Sequence, residues 1–456
     1  MKVLLTLILS LSIFLTVHSQ DTNPNVKKWT LRECVNYAIE NNINVKQSEN
    51  NISLAEIDKK DAIGNFIPNL NLNSSAAWNS GLTTDVTTGV LINQTTQTTN
   101  GGISSGVAIY RGLRNQNQLR KAELSILASQ YQLDRMKDDI SLFVINAYLD
   151  VLFGKEAVKV AIPQVEITRE QLARTNQLVE AGTLPRGDLL DVQATLANDE
   201  QNLILTQNKV RLALITLAQL LQLDDYDSFD VAVEEIETLP LINLADYSVD
   251  KIFEKALETR NEIKVAEANI DIAEKDIKLA KGALQPTLSG FFNWNSRYSD
   301  RDRIIGTEID PNNPTQVIGQ VETTGDNVIS PNFNAVVGPA DGFFDQIDQN
   351  KGSSFGLQLS IPVLNGFSAS NNVKRAKINF EQQKYQLKQE ELDLQKIIHQ
   401  VYADALGSLK LYDATKRSLE AREVSFEYAQ ERFDVGVLNS FDYGQIKNRL
   451  VAANAE

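Results

Sequence analysis

The sequence predicts a mainly α-helical protein with membrane β-strands. It is built from two repeats whose strands must be pooled between chains to close a barrel. Three observations predict this. A helical hairpin of unusual length runs from Asn115 to Leu223. The order helix, strand, loop, strand, long helix, turn, helix occurs twice along the chain. Each repeat offers two strands of about ten residues, long enough to cross a bilayer when tilted. Four strands cannot close a barrel, and open sheet edges are not tolerated in hydrocarbon.

In chain order, residues 1–19 read as a secretory signal peptide, with an apolar run from Val3 to Val17, cleavage after Ser19 and Gln20 as the first mature residue. The run is short for a spanning helix, and an uncleaved anchor is the alternative. The first repeat is expected over 20–223. Trp29 to Asn51 reads as one helix, continued from Ile52 to Ile63 and broken at Gly64. Pro68 opens a β-hairpin over 66–111: an alternating run from Asn69 to Trp78, a loop rich in Thr, Asn, Gln and Gly, then a second run near Gly102 to Tyr110.

Gly112 leads into the long helical hairpin, 115–223. Up to Glu180 the only glycine is Gly154 and the only proline Pro163, and good helix formers fill most of the rest. Leu133, Met136, Ile140, Phe143, Ala147 and Val151 recur at steps of three and four, with Val144, Tyr148 and Leu152 as a second stripe. Two stripes let a helix pack between two neighbours. A helix of roughly 65 residues would be about 100 Å long, too long for a globular core. Gly182 and Pro185 end it, and a second helix follows from Leu189.

The second repeat is expected over 250–456, after a joining segment 224–249 that reads as irregular or weakly stranded. Ala38, Ala55, Gly64 and Pro68 correspond to Ala256, Ala273, Gly282 and Pro286, a constant offset of 218. Beyond the strands the offset becomes 254, pairing Gly112 with Gly366, Tyr148 with Tyr402, Gly182 with Gly436 and Asp188 with Asp442. The difference lies inside the second β-hairpin, 284–365, and marks a surface loop at about 300–352. Its Asp341, Asp345 and Asp348 fit no calcium-loop spacing and read as solvated. Glu456 corresponds to Asn202, so the second helical hairpin is expected to be truncated.

The net charge of −15 becomes one unit more negative once Lys2 leaves with the signal. An acidic surface without a basic-aromatic patch argues against nucleic acid as a partner. Cys34, the only cysteine, cannot form an intrachain disulfide and reads as a small core residue. Only His399 survives signal removal, which excludes a multi-histidine zinc site. No P-loop, G-x-S-x-G or H-E-x-x-H motif occurs, so neither an enzyme nor a cofactor or metal site is expected. Phe291, Phe292, Trp294, Tyr298 and Trp78 are candidate bilayer-interface aromatics, with ordinary strand packing as the alternative.

The paired Gly-x-x-x-Pro elements (Gly64/Pro68 and Gly282/Pro286) resemble those of the TolC-like outer-membrane efflux proteins. So do the strand-to-helix junctions 109–113 and 361–367 and the turn motifs 181–191 and 433–442. The resemblance implies a homotrimer: twelve strands form an outer-membrane β-barrel in contact with lipid, continued by a long α-helical periplasmic barrel. It implies an exit duct for efflux or type I secretion, docked to a periplasmic adaptor (membrane fusion) protein and an inner-membrane transporter. Asp188 and Asp442 match the family's acidic position after each turn, where a carboxylate ring favours cations, with helix capping as the bland role. Asp191 adds a second candidate, although Gln445 stands at its repeat position. The turns, Gly182, Thr183, Leu184 and Gly436, Val437, Leu438, match the adaptor-docking tips. Some members shut the mouth with an arginine two residues after the turn glycine. Here those places hold Leu184 and Leu438, and Arg186 is the substitute candidate. The rival reading is a periplasmic coiled-coil adaptor or stalk without a pore.

Overall fold

The computed structural model describes residues 28–86, 89–226, 229–233 and 248–455. The expected signal peptide and most of the joining segment 224–249 lie outside them. The first repeat comprises β1 (Lys28–Trp29), α1 (Leu31–Asn41), α2 (Ile43–Gly64), β2 (Asn69–Thr84), β3 (Leu91–Arg111), α3 (Arg114–Glu180) and α4 (Arg186–Leu220). After β4 (Asp230–Val231) come α5 (Val249–Thr259), α6 (Asn261–Gly282), β5 (Thr287–Ser299), β6 (Arg303–Ile309), β7 (Thr315–Gln320), β8 (Asn327–Pro331), β9 (Phe333–Gly338), α7 (Phe343–Gln349), β10 (Gly352–Ser360), α8 (Ser368–Asp434) and α9 (Ser440–Ala455).

The boundaries repeat at the two offsets residue for residue. α1 and α2 become α5 and α6, the start of β2 becomes that of β5, and α3 becomes α8 at both ends. Positive φ recurs too, at Gly112 and Leu113 against Gly366 and Phe367. Helix α1 does not run on to Asn51 as one helix. Asn42 interrupts it with an extended backbone, φ −61° and ψ 132°. The Asn42 side chain replaces what the helix loses: its Oδ1 accepts from the Asn44 amide at 2.9 Å and its Nδ2 donates to the Leu220 carbonyl at 3.1 Å. Arg260 makes the same break in the second repeat, φ −72° and ψ 132°.

The fold divides into two compact units. The first gathers the chain up to Ile52, Ala128–Ala266 and everything from Leu387. Its core joins Cys34, Ala38 and Val45 to Ile140, Val144, Ala147, Tyr148 and Val151 of α3, to Leu217 and Ala218 of α4 and to Leu221 just after it. Cys34 is buried there, as a small core residue should be. Phe143, assigned to the seam, is instead 56% exposed. The contact face runs through Ile140, Val144, Ala147 and Val151, and Phe143 falls on its outer flank. Gly154 lets α4 approach closely, since a Cβ there would meet Val210 Cγ2 at 2.9 Å. Pro163 is accommodated inside α3 because it lies on the exposed face, where water can take the carbonyl that loses its helical donor. The parallel pair β1–β4 is fastened to α3 by Tyr148, whose hydroxyl donates to the Ala232 carbonyl at 2.6 Å, and by Lys155, paired with Asp230 at 2.5 Å.

One buried polar link in this unit joins three helices. Lys447 of α9 is 3% exposed, and its ammonium donates to Thr168 Oγ1 of α3 at 2.8 Å. Thr168 in turn donates to the Asp199 carboxylate of α4 at 2.5 Å, and Gln164 donates to the same oxygen at 3.2 Å. Burial pulls the Lys447 ammonium below the ordinary lysine range, and the Asp199 charge pushes it back up.

The second unit, Ser53–Leu127 with Glu267–Gln386, holds an antiparallel four-stranded sheet in the order β10-β5-β3-β2. β2 and β3 span 16 and 21 residues, so the Thr- and Gln-rich stretch read as a loop is mostly strand. Its period-two signal is silent because both of its faces are polar. The 300–352 segment is not irregular either. It nests two antiparallel pairs, β6–β9 and β7–β8, followed by α7. Asp341 pairs with Arg303 and Asp348 with Lys351, both at 2.5 Å, so two of the three acids answer local cations.

The strand-to-helix junction is fixed by two glycines. A Cβ on Gly282 would lie 2.6 Å from the Gly112 carbonyl oxygen, and one on Gly112 would strike Gly282 in return. Gly112 also has φ +61°. Gly366, its repeat partner, shares the positive φ but has open space around it. Gly366→Ala should therefore cost only the left-handed backbone penalty, about 1–2 kcal/mol, and Gly112→Ala a further 1–3 kcal/mol, roughly, for overpacking. Thermal unfolding of the two variants in detergent checks the order, and equal losses would refute it. For Lys447, a pKa lower in the folded than in the unfolded chain means the unfolded state binds more protons between the two values. Stability then rises with pH up to the unfolded value near 10.5. Lys447→Met should remove that rise relative to wild type, while the opposing effect of Tyr443, raised above 10.0 by burial, is shared by both proteins. The check is the melting temperature of each across the alkaline range.

Candidate functional site

The four-stranded sheet has two chemically distinct faces, set by register. In one cross-strand row Leu70, Ser105, Phe292 and Phe355 lie opposite one another, and in the next Leu72, Ile103 and Trp294. Leu288, Val107, Leu357 and Leu359 continue this apolar face. Leu72 is 80% and Phe355 83% exposed, so within one chain nothing covers it. The intervening rows are polar: Asn71, Ser104, Asn293 and Ser354 share one of them. Trp78, Phe292, Trp294 and Tyr298 thus belong to the apolar face, whereas Phe291 does not. It points from the polar face and packs across Gly356, 3.1 Å from where a Cβ would be. A glycine neighbour gives the ring a flat seat that no other residue would. The outer edges of β2 and β10 pair with no strand among the described residues.

The tips of the helical hairpins form the second candidate region. Each long helix ends on a glycine with φ near +75°, Gly182 and Gly436. The Thr183 amide donates to the Leu178 carbonyl and Val437 to Arg432, both at 2.9 Å, the six-residue closure that turns a helix end. Leu184 and Leu438 are partly buried, and the exposed apolar side chains there are Val435, Val437 and Leu190.

After the turns the two repeats diverge. Asn439 precedes α9, accepts from the Asp442 amide at 2.8 Å and donates to the Asp442 carboxylate at 2.9 Å, a reciprocal cap. Pro185 stands in the same place before α4 and offers no side-chain cap. Asp442 is therefore committed to its helix end, whereas Asp188 is not. Asp188 and Asp191 instead line a cleft of about 170 Å³ with Gln171, Thr195, Gln445, Asn448 and Lys447. Asp442 does not line that cleft.

Within the chain, the arginine that joins the two hairpins near their tips is Arg174. Arg174 of α3 pairs with Asp434, the last residue of α8, at 2.8 Å, and its guanidinium lies 5.4 Å from the Phe433 ring. Phe433 stacks on Tyr443 of α9 at 4.6 Å. Burial, then the Asp434 charge, raise the Tyr443 hydroxyl, with Arg174 opposing. Among the described residues Arg186 has no ion-pair partner. Repeat comparison carries no trace of this contact, because Arg174 corresponds to Tyr428 and Asp434 to Glu180. An acid at a helix C-terminus opposed by the helix dipole was the one available signal.

Among the described residues no cluster of His, Cys, Asp and Glu is suited to a metal ion, and no helix is long and apolar enough to cross a membrane. Comparison with known proteins agrees with the geometry. The chain is 21% identical over 320 residues to Protein CyaE of Bordetella pertussis, covering 69% of this chain and 58% of that one. It is 23% identical over 338 residues to the pyoverdine export outer membrane protein OpmQ of Pseudomonas aeruginosa, covering 73% and 59%. The chain thus spans less than two thirds of the length of these relatives. Its fold is that of the Campylobacter jejuni CmeC outer membrane channel, with a TM-score of 0.74 at 15% identity over 93% of this chain and 81% of that one. The family profile described as outer membrane efflux protein matches residues 34–222 and 252–456, and the chain belongs to that family.

Proposed function

We propose that three copies of this chain form an outer-membrane exit duct, in which the twelve pooled strands close a β-barrel and the long helices form a periplasmic tunnel. The observation that carries this reading is the sheet: one face apolar and uncovered, the other polar, with both outer edges open. A lipid-facing barrel wall needs this pattern, because hydrocarbon meets one face, water meets the other, and the edges must pair with further strands. A periplasmic stalk has no use for it. The duct is passive and conducts what an inner-membrane transporter delivers, in efflux or type I secretion. The export named for one relative supports that assignment.

Asp188, Asp191 and Asp442 are assigned to the periplasmic mouth, where a ring of carboxylates would focus a negative potential and favour cations. The turns Gly182–Leu184 and Gly436–Leu438 are assigned as the tips that meet a periplasmic adaptor, with the exposed Val437 supplying apolar contact. Reconstituted in a planar bilayer, the purified protein should conduct ions and prefer cations. Asp188→Asn should weaken that preference more than Asp442→Asn, since Asp442 is engaged in its cap. Reversal potentials in a salt gradient measure both, and equal effects would dismiss the distinction. Native mass spectrometry of the detergent-solubilised protein should give a trimer, and a monomer as the dominant species would overturn the pooled barrel.

A further inference from the structure

Helix α7 is placed where the apolar face of the sheet ends. The Ser296 hydroxyl on that face donates to the Ile347 carbonyl of α7 at 2.7 Å, and Ser296 is 3% exposed beneath it. The Tyr298 ring, two residues on and on the same face, lies 5.2 Å from Phe343, which meets Phe344 at 5.4 Å. The helix also caps a strand edge. β10 leaves β5 at Asn295, and beyond it Gln346 bonds both the amide and the carbonyl of Ser299, at 3.0 and 2.8 Å, while Asn350 donates to the Arg297 carbonyl at 2.9 Å. Edge capping accounts for Gln346 and Asn350. It does not account for Phe343 and Phe344, whose rings are 43% and 83% exposed.

The height of this position on the sheet is informative. From Leu288 to Tyr298 the apolar face spans about 34 Å of strand at roughly 3.4 Å per residue. At a tilt near 40° this is about 26 Å of height, close to the roughly 25 Å apolar band of an outer-membrane barrel. Tyr298 and α7 then fall at the boundary between hydrocarbon and headgroups, on the end of the sheet away from α6. Aromatic rings are favoured there because they are apolar in body and tolerate a polar edge. Asp345 and Asp348 add polar groups to the same short helix, as the interface tolerates; Asp348 shares the face of Phe344 and is ion-paired with Lys351 at 2.5 Å.

We propose that α7 is an interfacial anchor that rests Phe343 and Phe344 on the lipid of the outer leaflet, extending the barrel's lipid contact beyond its strands. This inference rests on the barrel reading above. The test uses the full chain with Cys34→Ala, carrying a nitroxide spin label on Phe344→Cys, Phe355→Cys or Ser354→Cys in separate samples. Each is reconstituted in vesicles of phosphatidylcholine and phosphatidylglycerol, and accessibility to oxygen is compared with accessibility to a water-soluble nickel chelate. Phe355 and Ser354 are neighbours on opposite faces of the sheet and calibrate lipid and water. All three positions are exposed, so labelling leaves the packing intact. The Phe344 label should favour oxygen severalfold over the Ser354 label, as the Phe355 label does. Preference for the nickel chelate would place α7 in water and overturn the anchor. Shielding from both reagents, with spin–spin broadening, would show a protein contact and overturn it equally. Failure of the barrel reading is distinct: the Phe355 label itself would then read as aqueous.

Discussion

Hydrocarbon gives a backbone N–H or C=O no partner, and this constraint governs the molecule more than any single contact. Among the described residues the main sheet has four strands, and the outer edges of β2 and β10 pair with no further strand. In the proposed duct the uncovered apolar face would meet lipid, and the open edges would pair with strands of further copies. The remaining features of the sheet-bearing unit serve the same end. Gly112 and Gly282 let strand and helix pass within contact distance, and α7 bonds the stretch of β5 that β10 leaves open.

The duplicated boundaries were legible in the sequence because they fall on residues with few conformational options. Gly64 with Pro68, Gly112 and Gly182 stop or turn the chain wherever they occur, and their copies do so at the same spacing. The long helices were legible from composition and period. The break at Asn42 was not, since Asn41, Asn42 and Asn44 stand together and nothing local singles out one of them. The bonds of the Asn42 side chain to the Asn44 amide and the Leu220 carbonyl mark it out. The full length of β3 was hidden for a different reason: a strand polar on both sides has no alternation to read. The pairs β6–β9 and β7–β8 were masked by the Asn, Gly and Pro of their turns.

Of the candidate site, the acids and turns could be located from the sequence but their inequality could not. Two repeats with matched aspartates suggest two equal sets of charge. The structure separates them through a residue three places earlier, Pro185 against Asn439. Likewise the Phe291 side chain shares its type with Phe292 but faces the polar side, a difference decided by register alone. Arg174 was invisible because its partner, Asp434, is distant in sequence and neither residue is repeated.

The repeats therefore divide the work. Where they agree, in helix ends, junction glycines and strand starts, they build a frame with near-duplicate halves. Where they differ, the difference acts on charge and surface. Asp442 is capped and Asp191 is answered by the neutral Gln445, so the carboxylates free to act at a trimer's mouth would come mainly from Asp188 and Asp191 of the first repeat. The field there would have three-fold rather than pseudo-six-fold symmetry, because the unengaged carboxylates stand on the first-repeat hairpins. Lys447 of the second repeat also lines that cleft, and its buried ammonium donates to Thr168, which in turn bonds Asp199. A cation passing the mouth would then meet two unlike hairpins in each chain, and selectivity would depend chiefly on the first.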